Sequence, residues 1–342
     1  MPFRSRPLMP SAVLCFAVLV DLLVLAPVLA PVLAPVLAPL AHAADWPTRP
    51  VTVIVPFGPG GNTDTMARLA AQDLTQKFGQ NFIVENKPSP GGVLGMRVVV
   101  AAAPDGYTLL FCASSMITLT PQLEKLEFDP AKQLVPITNV GTGALVMAIK
   151  RSLPATSLPE FLTYAKANPG KLNFTVAGTL NLTHFSTMRL FARTGVDLVM
   201  VPARSEPQAI SDLLGGIADV YFGNASAVLP LINNEQIRLI AVSTPERLAA
   251  APDIPTVGET VPGFEAASWN GFLAPAATPA PIIEAIRTEV TAFVKTPEIA
   301  RRLSNLGIVP GGLTKDQIEQ GFQQEREAYA IAIKAAGIPP PD

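Results

Sequence analysis

A glycine-rich bend between two apolar segments is the part of this chain best suited to bind an anion. Val51–Val55 predicts a buried strand, and a Pro-Gly-Gly bend at residues 59–61 precedes a helix expected to begin near Thr65. Glycine lets the backbone turn tightly against a ligand, and the N–H groups of a helix start attract negative charge. The same residues also fit a plain strand-to-helix turn capped by Asn62 or Thr63, and spacing alone does not separate the two readings.

Nucleotide-binding and catalytic patterns are missing from the sequence. No lysine follows the glycines, and no G-x-G-x-x-G can be written there. His42 lies in a predicted export signal, which leaves His184 for any metal site or triad. A hydrolase using Ser114 or Ser115 with His184 is a remote alternative, since no G-x-S-x-G elbow supports it. The sequence therefore predicts a protein that is not an enzyme and carries no cofactor or metal.

The N-terminus has the three parts of a secretion signal. Arg4 and Arg6 form a basic start, residues 11–25 are apolar, and Ala-His-Ala at 41–43 is a small-residue cleavage site. A membrane anchor is the rival interpretation, but prolines recur every fourth residue between 27 and 39 and would interrupt a spanning helix. We therefore predict a signal peptide over residues 1–43 and a periplasmic location.

Charge and cysteine content exclude further classes. The net charge is -2, and no basic run is present, so nucleic acid is not expected as a partner. Removal of the signal would leave Cys112, so no intramolecular disulfide can form. Cys112 lies in an apolar run and is expected to be a core residue rather than a nucleophile.

Strand-like and helix-like stretches alternate along the chain, which predicts α/β layers with mainly parallel sheets. Two more loops follow predicted strands: a glycine-containing loop at 178–184 that runs into a helix, and a loop at 202–204 that ends in Arg204. The carboxyl ends of such strands are where ligands bind, so the three loops are expected to meet at a cleft. Two helix starts facing that cleft would suit reversible capture of an anion.

Several of these residues have an ordinary structural interpretation as well. Arg204 could pair with a carboxylate or remain a solvated surface residue. Asn181 or Thr183 could cap the second helix or face a ligand, and His184 could be purely structural. Trp269 fits a cleft wall or the core.

Motifs along almost the whole mature chain resemble those of the Bug family of periplasmic solute-binding receptors, the tripartite tricarboxylate transporter receptors. The matching segments are Trp46-Pro-Thr-Arg-Pro50, Pro56-Phe-Gly-Pro-Gly-Gly-Asn-Thr-Asp64 with Ala67-Arg68, Val84-Glu-Asn-Lys-Pro88, Gly91-Gly92, Pro104-Asp-Gly-Tyr-Thr-Leu109, Phe128-Asp-Pro130, Asp212-Leu-Leu-Gly-Gly216, Pro255-Thr256 and Trp269-Asn-Gly271. The resemblance implies an α/β, two-lobed periplasmic binding protein of type II, a Venus flytrap with a ligand cleft between two α/β domains. We expect domain 1 over residues 44–146 and 267–342, and domain 2 over 147–266.

The loops and the resemblance together define a set of expected ligand contacts, in which two loops hold a carboxylate. The set comprises Phe57, Gly58, Pro59, Gly60, Gly61, Thr63, Asp64, Ser114, Ser115, Gly178, Thr179, Asn181, Thr183, His184, Ala203, Arg204 and Asn224.

The second lobe departs from the family pattern in three places. Leu180 and Asn181 stand where the family usually has glycine and serine, and Ala203-Arg204 replaces the usual tyrosine and lysine. Gly223 occupies the position of a frequent aspartate. These changes question the usual small dicarboxylate ligands and leave the first loop intact.

The function implied is capture of a small organic carboxylate: a di- or tricarboxylate, an aromatic carboxylate or an amino-acid-like compound. The expected partners are this ligand and the membrane permease subunits of a tripartite transporter, with a sensor system as the alternative. The protein is expected to act as a monomer and to close on its ligand.

Overall fold

The computed structural model describes residues 46–335, 338 and 341. The predicted signal peptide, residues 1–43, lies outside them. The described residues from Arg49 onward belong to one compact unit, whose fold is given below.

Ten strands in the described residues form a continuous, curled sheet. They are β1 (Val51–Val55), β2 (Phe82–Asn86), β3 (Thr108–Ala113), β4 (Leu134–Lys150), β5 (Asn173–Ala177), β6 (Val199–Ala203), β7 (Val220–Asn224), β8 (Ile237–Val242), β9 (Ala267–Pro275) and β10 (Ile308–Pro310). The order across the sheet is β2-β1-β3-β9-β4-β7-β5-β6, with β8 and β10 also paired to β4.

The expectation of mainly parallel sheets is wrong, because the sheet is mixed. β1 pairs in parallel with β2 and β3, and β5 pairs in parallel with β6 and β7. β4 pairs antiparallel with β7, β8, β9 and β10, and β3 pairs antiparallel with β9. Two parallel groups are therefore joined through the long strands β4 and β9, which the alternation of strands and helices did not predict.

β4 links the two groups because it is 17 residues long and changes partner along its length. Its first part pairs with β9 as far as Ala144, and from Leu145 onward it pairs with β7. In the sequence, only the apolar run at 144–149 predicts a strand in this region. Pro136 and the glycines at 141 and 143 obscure the earlier part, where two register shifts interrupt the pairing with β9.

Twelve α-helices, many of them short, cover the sheet in the described residues. They are α1 (Asn62–Phe78), α2 (Val93–Val100), α3 (Ser115–Thr118), α4 (Thr120–Leu123), α5 (Pro130–Gln133), α6 (Leu158–Ala167), α7 (Leu182–Thr194), α8 (Glu206–Leu214), α9 (Ala225–Val228), α10 (Ala280–Val294), α11 (Pro297–Asn305) and α12 (Lys315–Ala335). None of the helices among these residues has both the length and the apolar composition needed to cross a bilayer.

The strongest local signals predicted the helices well. The sequence predicts a final helix over Lys315–Ala335 with Thr314 and Gln317 as its cap. α12 has these bounds, and Thr314 and Gln317 exchange the two hydrogen bonds of a capping box. α1 begins at Asn62, three residues before the predicted start. Its N-cap is Gly61, with no side-chain cap, so the expectation that Asn62 or Thr63 caps it is wrong.

The apolar residues form clusters on both sides of the sheet. Cys112 is a fully buried, free thiol in the cluster beneath β1, β3 and β9, as predicted for a core residue. Trp269 belongs to the same cluster and stacks on Phe322 with ring centroids 5.1 Å apart. Of the two alternatives for Trp269, the structure selects the core.

Candidate functional site

A cavity of about 560 Å³ opens where the ends of the parallel strands meet. We call residues 56–64, from the end of β1 into α1, the first wall. The second wall comprises residues 177–184, between β5 and α7, and residues 202–206, between β6 and α8. Both walls line the cavity, together with residues from β9 and the start of α3. Its size is typical of small-molecule sites.

A charged network braces the first wall from behind. Gly60 adopts a left-handed conformation, with φ 78°, and its N–H donates to Asp64 Oδ2 at 2.9 Å. Arg68 Nε donates to the same oxygen, and Asn86 Nδ2 donates to Asp64 Oδ1, each at 2.9 Å. Burial would raise the pKa of Asp64, but these hydrogen bonds outweigh it and hold the pKa below its ordinary value. Asp64 therefore shapes the loop and faces away from the cavity.

The first N–H of α1 has an unexpected acceptor. Asn62 N donates to Glu206 Oε2 of the second wall at 2.5 Å. The Asn62 side chain also contacts α9, where Ser226 Oγ donates to Asn62 Oδ1 at 2.8 Å. A carboxylate from a distant part of the chain thus satisfies the helix start, which explains why α1 begins without a cap of its own.

β9 alternates its side chains between the cavity and the core. Ser268 and Asn270 line the cavity, whereas Trp269 between them points into the core. Asn270 Oδ1 accepts a hydrogen bond from Thr63 Oγ1 at 2.7 Å. This bond fixes Thr63, and with it the first turn of α1, against the sheet.

The two serines after β3 have different surroundings. Ser114 lies behind the cavity, where its hydroxyl contacts Ser268 Oγ at 3.2 Å and donates to Glu325 Oε1 at 3.0 Å. Burial is the main cause that raises the pKa of Glu325 to about 7, against the hydrogen bonds from Thr118 and Ser114. Ser115 lines the cavity, and its buried hydroxyl has no hydrogen-bond partner among the described residues. Ser115 can therefore bond a ligand.

The second glycine loop is held by the cap of α7. Asn181 Oδ1 accepts hydrogen bonds from the His184 N–H at 3.1 Å and from Thr183 Oγ1 at 2.8 Å. Its Nδ2 donates to the carbonyl of Ala177 at 2.9 Å. Asn181 therefore acts as the cap, one of its two predicted roles, although it and Thr183 also line the cavity.

His184 supports the loop from its outer side. The Leu180 N–H donates to His184 Nδ1 at 3.4 Å, and burial lowers the pKa of the imidazole. In the described residues no hydrogen bond joins His184 to Ser114 or Ser115. The serine-hydrolase alternative consequently has no nucleophile–base contact in the structure.

Leu180 has a backbone conformation that favours glycine. Its φ of 56° is the one positive value for a residue other than glycine in the described part of the chain. A left-handed leucine costs about 1–2 kcal/mol because its Cβ crowds the following carbonyl. The departure at Leu180 therefore strains the second wall.

The two walls touch at Gly58. A Cβ added to Gly58 would lie 2.9 Å from Ser205 Cβ and 3.1 Å from the carbonyl oxygen of Arg204. Only glycine allows this approach without displacement of the opposite backbone. Ala203 lies buried beside this contact, and the exposed Arg204 side chain lines the cavity.

Glu206 forms the buried corner of the second wall. Besides Asn62 N, its carboxylate accepts hydrogen bonds from Tyr221 Oη at 3.2 Å and from Asn224 Nδ2. Gly223 is tied to this arrangement, because an added Cβ would lie 2.3 Å from Tyr221 Oη. An aspartate at 223 would therefore displace Tyr221 from Glu206.

The structure brings most of the predicted contacts around one cavity. Those that line it are Phe57, Gly58, Gly61, Thr63, Ser115, Gly178, Thr179, Asn181, Thr183, Ala203, Arg204 and Asn224. The others are outside the lining, where they form or support the loops: Pro59, Gly60, Asp64, Ser114 and His184. Sequence reasoning missed further polar lining residues, namely Asn62, Ser89, Ser205, Glu206, Ser268 and Asn270. A glutamate at the first helical position after a strand was the available signal for Glu206, but its partners were not visible.

Comparisons with known proteins agree with this architecture. Residues 66–338 match the model of the tripartite tricarboxylate transporter family receptor. The chain is 31% identical over 301 residues to protein BugT of Bordetella pertussis, which covers 86% of this chain and 91% of that one.

Two solved structures are similar along nearly their full length. A protein of R. palustris with adipate has a TM-score of 0.83 and 31% identity, covering 87% of this chain and 100% of that one. MatC from Rhodopseudomonas palustris with bound malate has a TM-score of 0.79 and 28% identity, covering 84% and 100%. These similarities confirm the two-lobed α/β binding-protein fold predicted from the sequence.

Proposed function

The chain belongs to the tripartite tricarboxylate transporter receptor family, and on that premise we propose that it captures a small organic carboxylate in this cavity. The observation that carries the proposal is the cavity itself. Two strand–glycine–helix walls meet there, Arg204 lines it, and Ser115 brings a buried hydroxyl without a partner. Family relatives bind adipate and malate, which supports a carboxylate ligand for this chain.

Each contact has a chemical role in the proposal. Arg204 pairs with the ligand carboxylate through its guanidinium, and the first turn of α7 at Thr183 adds N–H donors and the helix dipole. Ser115 donates or accepts one hydrogen bond. Phe57 and Ala203 contact the ligand body.

Closure on the ligand would use the contacts that the second wall makes with Gly91 and Thr120. The Gly91 N–H donates to the Thr179 carbonyl at 3.1 Å, and Thr120 Oγ1 donates to the Leu180 carbonyl at 3.3 Å. We propose lobes over 44–146 with 267–342, and over 147–266; β4 changes partner two residues before the first boundary. A ligand that contacts both walls would favour the closed state.

The biological setting follows from the family. We propose that the protein is exported to the periplasm, acts as a monomer and delivers its ligand to membrane permease subunits. A role as the ligand-binding partner of a sensor is the alternative. Genes for permease subunits beside this one would favour transport.

Ligand identification is the direct test. Mass spectrometry of small molecules released from the purified protein should detect a carboxylate. Thermal unfolding with a broad panel of organic acids should show a raised Tm for one or a few of them, because only the native state binds. A flat response across the panel would contradict the proposal.

The site can be tested with matched arginine variants. Arg204→Ala should weaken carboxylate binding by at least about tenfold, since it removes the one basic side chain of the cavity lining. Arg301→Ala, an exposed arginine on α11, should leave affinity unchanged. Equal affinities of the two variants would exclude Arg204 from the site.

A further inference from the structure

Glu206 is a buried carboxylate in the wall of a cavity expected to receive a carboxylate. It is 6% exposed, and both oxygens accept hydrogen bonds from the protein. Oε2 is bonded to Asn62 N, and Oε1 is bonded to Tyr221 Oη and Asn224 Nδ2. These three donors come from two elements, α1 and β7, so the carboxylate is held from two sides.

The position that Glu206 occupies is an anion site. Asn62 N is the first N–H of a 17-residue helix, whose start carries partial positive charge. The backbone at Gly61 lies close to the same oxygen, since an added Cβ would be 3.0 Å from Glu206 Oε2. The glycine bend of the first wall therefore does hold a carboxylate, but one that belongs to the protein.

Glu206 has little capacity left for a ligand donor. A carboxylate has about four lone-pair sites, and three side-chain or backbone donors already use both oxygens. Burial raises the pKa of Glu206, while the three donors stabilise its ionised form. Glu206 therefore acts on a ligand by filling the anion-binding position at Gly61 and Asn62 and by its negative charge, rather than by accepting a new hydrogen bond.

The other charges of the cavity leave room for one ligand carboxylate. Arg204 and Glu206 are the charged side chains of the lining, so their formal charges cancel. The start of α7 and Arg204 can hold one carboxylate. Polar side chains also line the cavity, but most of its exposed surface is apolar, with contributions from Pro56, Phe57, Pro88, Pro90, Leu182 and Pro202.

We propose that Glu206 makes the site selective for monocarboxylates with an apolar body over dicarboxylates. The inference rests on the proposed function and adds its substrate class. A second ligand carboxylate would find the anion-binding position already filled by Glu206, whose negative charge would repel it. Repulsion of this kind is a usual source of specificity.

Two matched sets of probes test this selectivity. Hexanoate, adipate and ε-aminocaproate share a six-carbon chain and differ in one terminal group; benzoate, terephthalate and para-(aminomethyl)benzoate do the same on a ring. Calorimetric titration of the purified protein should give hexanoate or benzoate an affinity at least about tenfold above its dicarboxylate partner. Glu206→Ala should reduce the ratio of monocarboxylate to dicarboxylate affinity at least about tenfold, because it empties the anion-binding position.

Two further variants keep the test clear. Glu206→Gln preserves the volume and removes the charge, so it should shift the ratio in the same direction if the alanine variant does not fold. Asp212→Asn removes a charge of the same sign from the same helix outside the cavity lining, and should leave the ratio unchanged.

The outcomes separate this inference from the proposed function. If no probe and no other organic acid binds the wild type or the variants, the carboxylate function itself fails. If the wild type binds adipate or terephthalate best, and the ratio is the same in both Glu206 variants, only the selectivity fails. Tightest binding of an amino-carboxylate, lost in both Glu206 variants, would instead make Glu206 an ammonium receptor and overturn the inference.

Discussion

The two walls of the cavity have the same plan but are held in different ways. Each is a strand, a glycine turn and a helix start, and each contains a left-handed glycine, Gly60 or Gly178. The first wall is braced by Asp64 with Arg68 and Asn86. The second is braced by the neutral amide of Asn181.

The difference separates the residues that hold a loop in place from the residues that determine which ligand binds. The charged network lies behind the first wall, away from the cavity, so it can fix the loop whichever acid is held. The second wall contains a strained residue, Leu180. Its segment at residues 202–206 contains the one exposed arginine and the one buried glutamate of the lining. We therefore expect loss of the Asp64 network to lower stability, and changes at Arg204 or Glu206 to alter ligand choice.

The largest expected effect is on the bracing of the first wall. Asp64→Ala should lower the free energy of unfolding by about 2–4 kcal/mol, because Gly60, Arg68 and Asn86 all lose the buried carboxylate that accepts their hydrogen bonds. Glu127→Ala, which removes an exposed ion pair with Arg97, should cost less than about 1 kcal/mol. Urea unfolding measures both, and equal losses would show that Asp64 is not a brace.

The pH dependence of this effect has a defined sign. The pKa of Asp64 is lowered in the folded state, so its contribution is complete above the unfolded value and is lost as pH falls through the folded one. The stability difference between wild type and Asp64→Ala should therefore be constant near neutral pH and shrink below about pH 4.

A smaller effect is expected where the walls touch. Gly58→Ala should weaken ligand binding about tenfold, equivalent to about 1.4 kcal/mol, because the new methyl group meets Ser205 and the Arg204 carbonyl. Gly321→Ala in α12, where nothing lies within 4 Å of the added Cβ, should leave affinity unchanged. Unchanged affinity in Gly58→Ala as well would mean that the close approach is not needed for binding.

The smallest effect concerns the strain in the second wall. Leu180→Gly should change the free energy of unfolding by less than about 1 kcal/mol, since relief of the left-handed conformation is offset by greater freedom of the unfolded chain. Leu180→Val should be less stable than Leu180→Gly by about 1–2 kcal/mol, because a branched Cβ tolerates positive φ poorly. Thermal unfolding compares the two, and a valine variant as stable as the glycine variant would contradict the strain.

Local sequence signals determined many of the strands and helices and the loops that face the cavity. The run Val51–Val55, the glycine bend after it and the final helix Lys315–Ala335 were predictable because neighbouring residues set strand and helix preferences. The same signals located the loops that line the cavity, and the apolar run around Cys112 indicated its burial. The long strand β4 was only partly predicted because Pro136, two glycines and the register shifts break the alternation.

Contacts between distant residues were decided by the tertiary structure alone. Glu206 and Asn62 are 144 positions apart, and no local pattern shows that one caps the helix of the other. That contact moved the start of α1 to Asn62 and placed a carboxylate of the protein in the predicted anion site. The sequence determined that a carboxylate could sit at the glycine bend, because helix starts attract anions wherever they occur. Which carboxylate sits there was decided by packing, because only the folded chain brings α8 against the first wall.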